Sequence, residues 1–318
     1  MQIIDFIHEH IEQATLLAKA SYAEEWARVT VLPQDITIPD LSGFAGNCLG
    51  VAAFEQDKMV GFLCCYSPFN NAFGSTKARG VFSPIYGNCS ITENRAAIYA
   101  RMYQIAAEKW ARAGASSHAI CLYADNKTVQ EQFFRYGFGL RCVDAIRPMD
   151  VLNVSPNLDI EYTELIGEKR FYLRTLDVLL DEHIATSPAF IRRYTKTEDE
   201  FAQEMHESKD RYFAAKSNDE IIAFLKVSDE GENFITSMPD MQSICGAFCL
   251  PQYRGKGIFQ SLINHAISIL KSEGYTRLGV DFESLNPNAD RFWNKYFRAY
   301  THSLVRRIDE DALKRGTL

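Results

Sequence analysis

An internal repeat constrains the fold of this chain more than any other feature. "VAAFEQDKMVGFLCC" begins at Val51, and "FAAKSNDEIIAFLKV" begins at Phe213. Each stretch has two apolar runs on either side of a polar turn, with Ala-Ala and Phe-Leu at the same places, and this pattern predicts a β-hairpin. Because self-similarity at a fixed spacing indicates a repeated structural unit, the sequence predicts two copies of one unit.

The repeat continues along both halves in the same order. A further β run is followed by a helical pattern that stops at Gly114 in one half and Gly274 in the other. A Gly just past the last periodic residue ends a helix. A strand running into Asn, an aromatic-rich helix and a β-like tail then close each half. The sequence therefore predicts an α/β protein with α+β mixed sheets, in which hairpins combine with strand–helix–strand crossovers.

The seam between the halves is predicted in the polar stretch "DVLNVSPNLD", which contains Pro156. We accordingly expect two domains, residues 1–153 and residues 154–318, a number that the length of 318 residues also favours.

Charge and composition restrict the partners. A net charge of −7 argues against a nucleic-acid partner, which needs a basic surface. No apolar run approaches the ~18 residues of a membrane span, and the first residues lack the pattern of a secretory signal. The eight Cys stand mostly in apolar runs without metal-ligand spacing, and we expect buried thiols and no metal site. The expected location is cytoplasmic.

The stretch "CLPQYRGKGI" joins a strand that ends at Leu250 to a helix that starts near Ile258. A helix N-terminus presents unbonded N–H groups and the positive end of a dipole, and both attract anions. Glycines let the backbone come close to a ligand, and the cations Arg254 and Lys256 suit phosphate oxygens. The segment is predicted to be a pyrophosphate cradle.

Two common phosphate-binding motifs do not fit this loop. A P-loop needs Ser or Thr where Ile258 stands, and a dinucleotide fingerprint needs a third glycine that is absent here. The remaining pattern, from Gln252 to Gly257, fits Q/R-x-x-G-x-G/A. It resembles the acyl-CoA loop of the GNAT (Gcn5-related N-acetyltransferase) superfamily, and the order of the elements around it is similar to that fold. The resemblance covers about residues 160–318 directly, and it reaches the first half only through the repeat.

The resemblance implies two tandem acyl-CoA N-acyltransferase folds, with acetyl-CoA as co-substrate. It also implies a set of cofactor-binding residues in the strand end, the loop and the segment after the next strand: Phe248, Cys249, Leu250, Arg254, Gly255, Lys256, Gly257, Ile258, Phe259 and Asn286. A second interpretation of Asn286 is a helix N-cap followed by Pro287 at the first helical position, and both roles can hold together.

The general acid is where the sequence departs from the family. The family often places a Tyr on the helix that follows this Asn, and Trp293 stands there instead. An indole N–H donates a hydrogen bond but is no practical acid. Tyr296 and Tyr300 lie three and seven residues further on, on one helical face if the helix continues. Tyr296 is the candidate acid, and its alternative role is aromatic packing.

The candidate base is Glu283. A primary alkyl amine is mostly protonated at neutral pH, so a base assists its attack. Alternation along "LGVDFE" puts Asp281 and Glu283 on one face, and Glu283 lies at the carboxyl end of the strand, where such sheets bind ligands. The alternative is a solvated acidic face. A covalent acyl-Cys249 is weighed against a buried thiol, and His265 is expected to be structural.

The first copy lacks the cradle. Where the second has "PQYRGKGI", the first has "PIYGNCSITENRAAI", which carries Glu93 and no clustered cations. Phe133 and Phe134 replace Phe292 and Trp293. The first copy is therefore predicted to be a degenerate GNAT copy that completes the substrate cleft or pairs its sheet with the second. The alternative is a catalytic first copy that uses a different loop.

These observations predict an N-acetyltransferase that moves an acetyl group from acetyl-CoA to a primary amine of a small molecule or peptide, by direct attack in a ternary complex. The alternative is a non-catalytic acyl-CoA-binding sensor or interaction module. The sequence leaves open the acceptor, the length of the acyl group and the oligomeric state.

Overall fold

A computed structural model describes residues 1–74, 78–155, 157–186, 188–191, 194–231, 233–309 and 311. Pro156, in the predicted seam, lies outside these residues. The strands are β1 (Gln2–Asp5), β2 (Val51–Glu55), β3 (Lys58–Leu63), β4 (Gly80–Ser83), β5 (Asn88–Ser90), β6 (Ser117–Tyr123), β7 (Gly139–Pro148), β8 (Glu161–Leu165), β9 (Arg211–Ser217), β10 (Glu220–Ser228), β11 (Met241–Cys249), β12 (Arg277–Glu283) and β13 (Arg298–Arg307). The α-helices are α1 (Ile11–Trp26), α2 (Ser42–Gly46), α3 (Arg95–Arg112), α4 (Lys127–Arg135), α5 (Arg174–Ala185), α6 (Glu198–Glu207), α7 (Ile258–Ser272) and α8 (Pro287–Tyr296).

The chain divides into two compact units. Unit 1 is Met1–Val143 together with the C-terminal segment from Ala299, and unit 2 is Asp144–Arg298. This division differs from the boundary predicted after residue 153, because the last strand of the chain belongs to the first unit. β13 pairs antiparallel with β6, from Thr301 opposite Tyr123 to Arg307 opposite Ser117, and these ladder hydrogen bonds hold the segment in unit 1.

Unit 1 contains two groups of paired strands. One has the order β1-β2-β3-β5, and the other has β4-β6-β13, in which β4 and β6 are parallel. Helix α3 packs one face against β2 and β3, and its Trp110 is fully buried with the indole N–H donating to the carbonyl of Leu49 at 3.0 Å. This aromatic and aliphatic layer is the core of the unit.

Unit 2 is built on the strand order β12-β11-β10-β9-β8. The β9–β10 turn has Asn218 and Asp219 at φ 50° and 65°, values typical of a two-residue type I′ hairpin. Helix α7 connects β11 to the parallel strand β12 and buries an apolar stripe that includes Leu262, Ala266 and Leu270. The mixed α/β architecture is the predicted one.

Several local predictions are confirmed. Both repeat stretches form antiparallel hairpins, and the glycines after α3 and α7 have positive φ. Five of the eight cysteines are buried: Cys64, Cys65, Cys89, Cys121 and Cys249.

The expectation that Tyr300 shares a helical face with Tyr296 is wrong. Helix α8 ends at Tyr296, because Phe297 is extended with φ −124° and ψ 154°. Tyr300 therefore lies on β13, where it is fully buried. Within the described residues, no helix is both long enough and apolar enough to cross a membrane.

Candidate active site

A cavity of about 370 Å³ lies in unit 2 beside the carboxyl end of β11. The parallel register of β11 with β12 runs from Met241–Arg277 to Ile244–Val280, and both strands continue beyond it. Lys226 of β10 faces Gly246, while the next residue of β10 faces Ile244, so Cys245 is the extra residue of a β-bulge. A bulge bends its strand and increases the local twist. The bulge therefore separates the strand ends at the place where the cavity opens.

The loop after β11 has the backbone that the sequence predicts. Pro251–Tyr253 form one 3₁₀ turn, and Arg254 is extended. Gly255 and Gly257 have φ 73° and 76°, a left-handed conformation that glycine adopts without strain. Gly257 is the N-cap of α7 and supplies no side-chain cap, so the first N–H groups of α7 are left without a partner within the helix.

Cations line the cavity without carboxylates. Arg254, Arg291 and Lys295 are among the lining side chains, and none of the described lining residues is Asp or Glu. Arg254 donates from Nε to the carbonyl oxygen of Cys249 at 2.8 Å, and its guanidinium lies 5.4 Å from the ring centre of Phe248. The cavity thus combines positive charge, helix N–H groups and aromatic walls, which together suit an anionic ligand with an apolar arm.

Eight of the twelve residues singled out from the sequence line this cavity: Phe248, Cys249, Arg254, Gly255, Ile258, Phe259, Asn286 and Tyr296. The lining does not include Leu250, Lys256, Gly257 or Glu283. Lys256 is exposed, and its ammonium lies 5.6 Å from the ring centre of Tyr253. Asn286 caps α8, since its side-chain oxygen accepts from the backbone N–H groups of Asn288 at 3.2 Å and Ala289 at 3.4 Å.

Tyr296 occupies the last turn of α8, at the wall of the cavity. Its hydroxyl accepts a hydrogen bond from Nε2 of Gln260 at 3.3 Å. This bond and the nearby Lys295 ammonium, 5.1 Å from the ring centre, lower the pKa of Tyr296. Trp293 is 5% exposed and packs edge-on against Phe259 and Phe292. The residue at the usual Tyr position is therefore a packing residue, and a phenol stands one turn further on.

Two other candidate catalytic residues, Cys249 and Glu283, differ in their surroundings. Burial raises the pKa of the Cys249 thiol to about 11, so the thiol remains protonated at neutral pH and is a poor nucleophile. Glu283 is half-buried at the carboxyl end of β12, on the same face as Asp281, while Phe282 between them is buried. The alternation predicted for this strand is present.

Sequence reasoning missed three basic residues of the cavity: His183 on α5, and Arg291 and Lys295 on α8. His183 lies three residues after the buried Leu180 and seven after the buried Leu176, so it continues the apolar face of α5. A polar residue on an apolar stripe was the signal that could have found it.

In unit 1, a buried side chain bridges the carboxyl ends of the parallel strands β4 and β6. Asn88 is buried between the carboxyl ends of β4 and β6, and its amide nitrogen lies 3.0 Å from Ser83 Oγ and from the carbonyl oxygens of Pro84 and Cys121. The Tyr99 hydroxyl donates to the Asn88 side-chain oxygen at 2.8 Å. These bonds occupy the space between the strand ends with protein atoms.

The cation at the start of α3, Arg95, is paired with a carboxylate. Arg95 donates two hydrogen bonds from one nitrogen to the Glu24 carboxylate, at 2.9 and 3.1 Å. The other charged residue of this loop, Glu93, carries a negative charge and would repel a phosphate.

Known proteins resemble this chain in fold. The chain is similar to a GCN5-related N-acetyltransferase from Sphaerobacter thermophilus, with 10% identity, coverage of 96% of this chain and 95% of that chain, and a TM-score of 0.59. It is also similar to a fungal multi-domain GH3 beta-N-acetylglucosaminidase, in a region described as a GCN5-related glucosamine N-acetyltransferase region. The identity is 13%, the match covers 96% of this chain and 38% of that chain, and the TM-score is 0.52. No match was found among curated protein sequences.

The sequence itself matches one family model. Residues 177–297, which include the cavity-lining helices, strand ends and loop described above, match the model of the acetyltransferase (GNAT) family. Unit 2 therefore carries a domain of the GNAT family of acetyltransferases.

Proposed function

We propose that this protein is an N-acetyltransferase that moves an acetyl group from acetyl-CoA to a primary amine, in a complex that holds both substrates, and that unit 2 carries the site. The observation that supports this best is the cavity at the separated ends of β11 and β12, lined by the glycine loop, three cations and aromatic rings. Members of this family use acyl-CoA as the acyl donor, in which a thioester supplies the activated acyl group.

The residues present fit such a donor. A Cβ built on Gly255 meets no atom within 4 Å, so this side of the loop is open for a phosphate to approach the backbone. The unbonded N–H groups of the first turn of α7, with Arg254, Arg291 and Lys295, supply donors for the phosphates. Phe248, Phe259 and Phe292 give the apolar surface for the arm. A volume of about 370 Å³ lies within the usual size of a small-molecule site.

The remaining roles follow from the surroundings of each group. Tyr296 is proposed to protonate the departing thiolate, since its own oxygen accepts from Gln260 and leaves its proton available. The raised pKa of Cys249 favours direct transfer to the amine over an acyl-Cys intermediate. Glu283 stays a prediction for the base, outside the cavity lining.

Unit 1 is proposed to be a degenerate copy without an acyl-CoA site. The support is the bonded Asn88 between its strand ends and the pairing of Arg95 with Glu24. A ligand could enter between these strand ends only if the hydrogen bonds of Asn88 were broken, and breaking them costs free energy.

The proposal is tested by calorimetry with acetyl-CoA and by thiol release in the presence of primary amines. Amino sugars belong in this panel because one structural neighbour is described as a glucosamine N-acetyltransferase region; α-amino peptides and alkyl diamines complete it. The expected result is binding of one acetyl-CoA per chain and thiol release that requires an amine. Binding without acetylation of any amine would favour the acyl-CoA sensor, and the absence of binding would reject both functions.

A further inference from the structure

A histidine lies in the wall of the cavity and has no role in the reaction as described so far. His183 is near the end of α5 and is half-buried. Its ring centre lies 6.2 Å from that of Phe248, the residue before the last in β11. The guanidinium of Arg254 lies against the same Phe248 ring, at 5.4 Å. His183 is therefore placed beside the strand end and the loop that form the proposed donor site.

Asn286 lies beside His183 in the cavity wall and raises the pKa of the imidazole. The Asn286 side chain is itself fixed, because its oxygen accepts from the two backbone N–H groups that it caps at the start of α8. A neutral imidazole has one N–H and one nitrogen with a lone pair, and a hydrogen bond at one nitrogen fixes which tautomer is present. When the proton is on the nitrogen that faces Asn286, the other nitrogen is a proton acceptor.

The surroundings of His183 also favour its neutral form. Burial and the positive charge of Arg254 lower the pKa of His183, and the neighbouring Asn286 side chain opposes them. The other titratable groups that line the cavity are Tyr253 and Arg254 from the loop, the Cys249 thiol from β11, which is protonated at neutral pH, and Arg291, Lys295 and Tyr296 from α8. None of the described residues lining the cavity is a carboxylate that would hold a proton on the imidazole.

We infer that His183 is the general base that takes the proton from the acceptor amine. This inference rests on the proposed function. The nitrogen lone pair of the amine forms the new bond to the acetyl carbon, and the carbon–sulfur bond breaks with its electron pair going to the CoA sulfur. The amine proton passes to the lone-pair nitrogen of His183, and the thiolate takes a proton from Tyr296. His183 then returns its proton to solvent, and Tyr296 regains a proton from solvent, so both groups are restored for the next turnover.

The test compares the wild type with four variants, His183→Gln, His183→Ala, Glu283→Gln and His206→Gln, in the same acetylation assay. His183→Gln removes the base and keeps a polar group of similar length, and Glu283→Gln removes the base predicted from the sequence. His206→Gln is the matched control, because His206 is an exposed histidine of α6 outside the cavity. Each variant is assayed for kcat across pH and for acetyl-CoA affinity by calorimetry.

We expect His183→Gln to lower kcat at pH 7 by about 10²-fold or more, the usual range for a lost general base, with acetyl-CoA affinity within a few-fold of the wild type. The wild-type kcat should fall at acid pH as the imidazole takes a proton, and His183→Gln should lose this limb. Added imidazole should restore part of the activity of His183→Ala, a result that a purely structural role would not give. The control variant His206→Gln should keep kcat within about threefold.

A folded His183→Gln protein with the kcat and pH profile of the wild type would overturn the inference while the proposed function stands. A large loss in Glu283→Gln with little change in His183→Gln would assign the base to Glu283. A wild-type protein that acetylates no amine would reject the proposed function, and this inference with it.

Discussion

Gly255 offers the sharpest test of the donor site, because two glycines at the ends of α7 share a backbone conformation and differ in position. Gly255 has φ 73° and lies in the loop before the helix, and Gly274 has φ 99° and lies just after it. A Cβ built on either residue meets no atom within 4 Å. Only Gly255 lines the cavity. Gly255→Ala and Gly274→Ala therefore form a matched pair.

The cost to stability should be similar in the two variants. An alanine in the left-handed region costs roughly 1–2 kcal/mol, and neither site adds a steric clash. For a domain of this size, that corresponds to a fall in Tm of roughly 2–8 °C. Thermal unfolding followed by circular dichroism measures it.

The effect on acetyl-CoA affinity should separate the pair. If the phosphates approach the backbone at Gly255, a methyl group there removes at least one charge-assisted hydrogen bond, which is worth about 1.5–3 kcal/mol. Affinity should then fall by about 10-fold to 100-fold in Gly255→Ala and stay unchanged in Gly274→Ala. Calorimetry on both folded variants measures this difference in acetyl-CoA affinity. Equal affinities in the two proteins would refute the placement of the phosphates in this loop.

Three further outcomes are expected. Arg254→Ala combined with Lys256→Ala should weaken acetyl-CoA binding by at least tenfold in a folded protein, because two cations of the loop are lost; calorimetry that shows unchanged affinity would contradict the assignment. Tyr296→Phe should lower kcat at least tenfold and leave acetyl-CoA affinity unchanged, since only the phenolic proton is removed; a wild-type kcat under conditions where chemistry limits the rate would exclude Tyr296. Asn88→Ala should lower the free energy of unfolding by about 1–3 kcal/mol, because the buried Tyr99 hydroxyl loses its acceptor, without changing acetyl-CoA affinity; denaturant unfolding that shows no change would argue against Asn88 as a closing residue.

Local sequence signals predicted the conformation of the glycine loop and the cap at Asn286 well. The glycines, the cations and the cap at Asn286 act within a few residues of one another, and each has a conformational or charge preference that the neighbouring residues do not override. The hairpins and the helix ends were predicted for the same reason. Trp293, which the sequence analysis did not favour as an acid, is buried and packs against Phe292.

Features that depend on distant residues were not predictable. The membership of β13 in unit 1 is decided by pairing with β6, which is far away in the chain, and no local signal in Thr301–Arg307 specifies that partner. Tyr300 was misplaced because Phe297 ends α8 in an extended conformation without a Gly or Pro. His183 was missed because its partners, Phe248 and Asn286, come from segments that only the fold brings together.

The proposed acid and base need pKa shifts of the same sign, and the cavity supplies both. Tyr296 must release a proton, and a hydrogen bond from Gln260 together with the Lys295 ammonium lowers its pKa. His183 must be unprotonated before it can accept, and burial together with the Arg254 guanidinium lowers its pKa as well. A lower pKa weakens the imidazole as a base, but it raises the fraction of neutral imidazole at neutral pH, and efficiency depends on the product of these two quantities. Positive charge is needed in the cavity for an anionic donor in any case. In the proposed mechanism, the cations that suit a pyrophosphate therefore also lower the pKa of both proton-transfer groups, and no tyrosine is required at position 293.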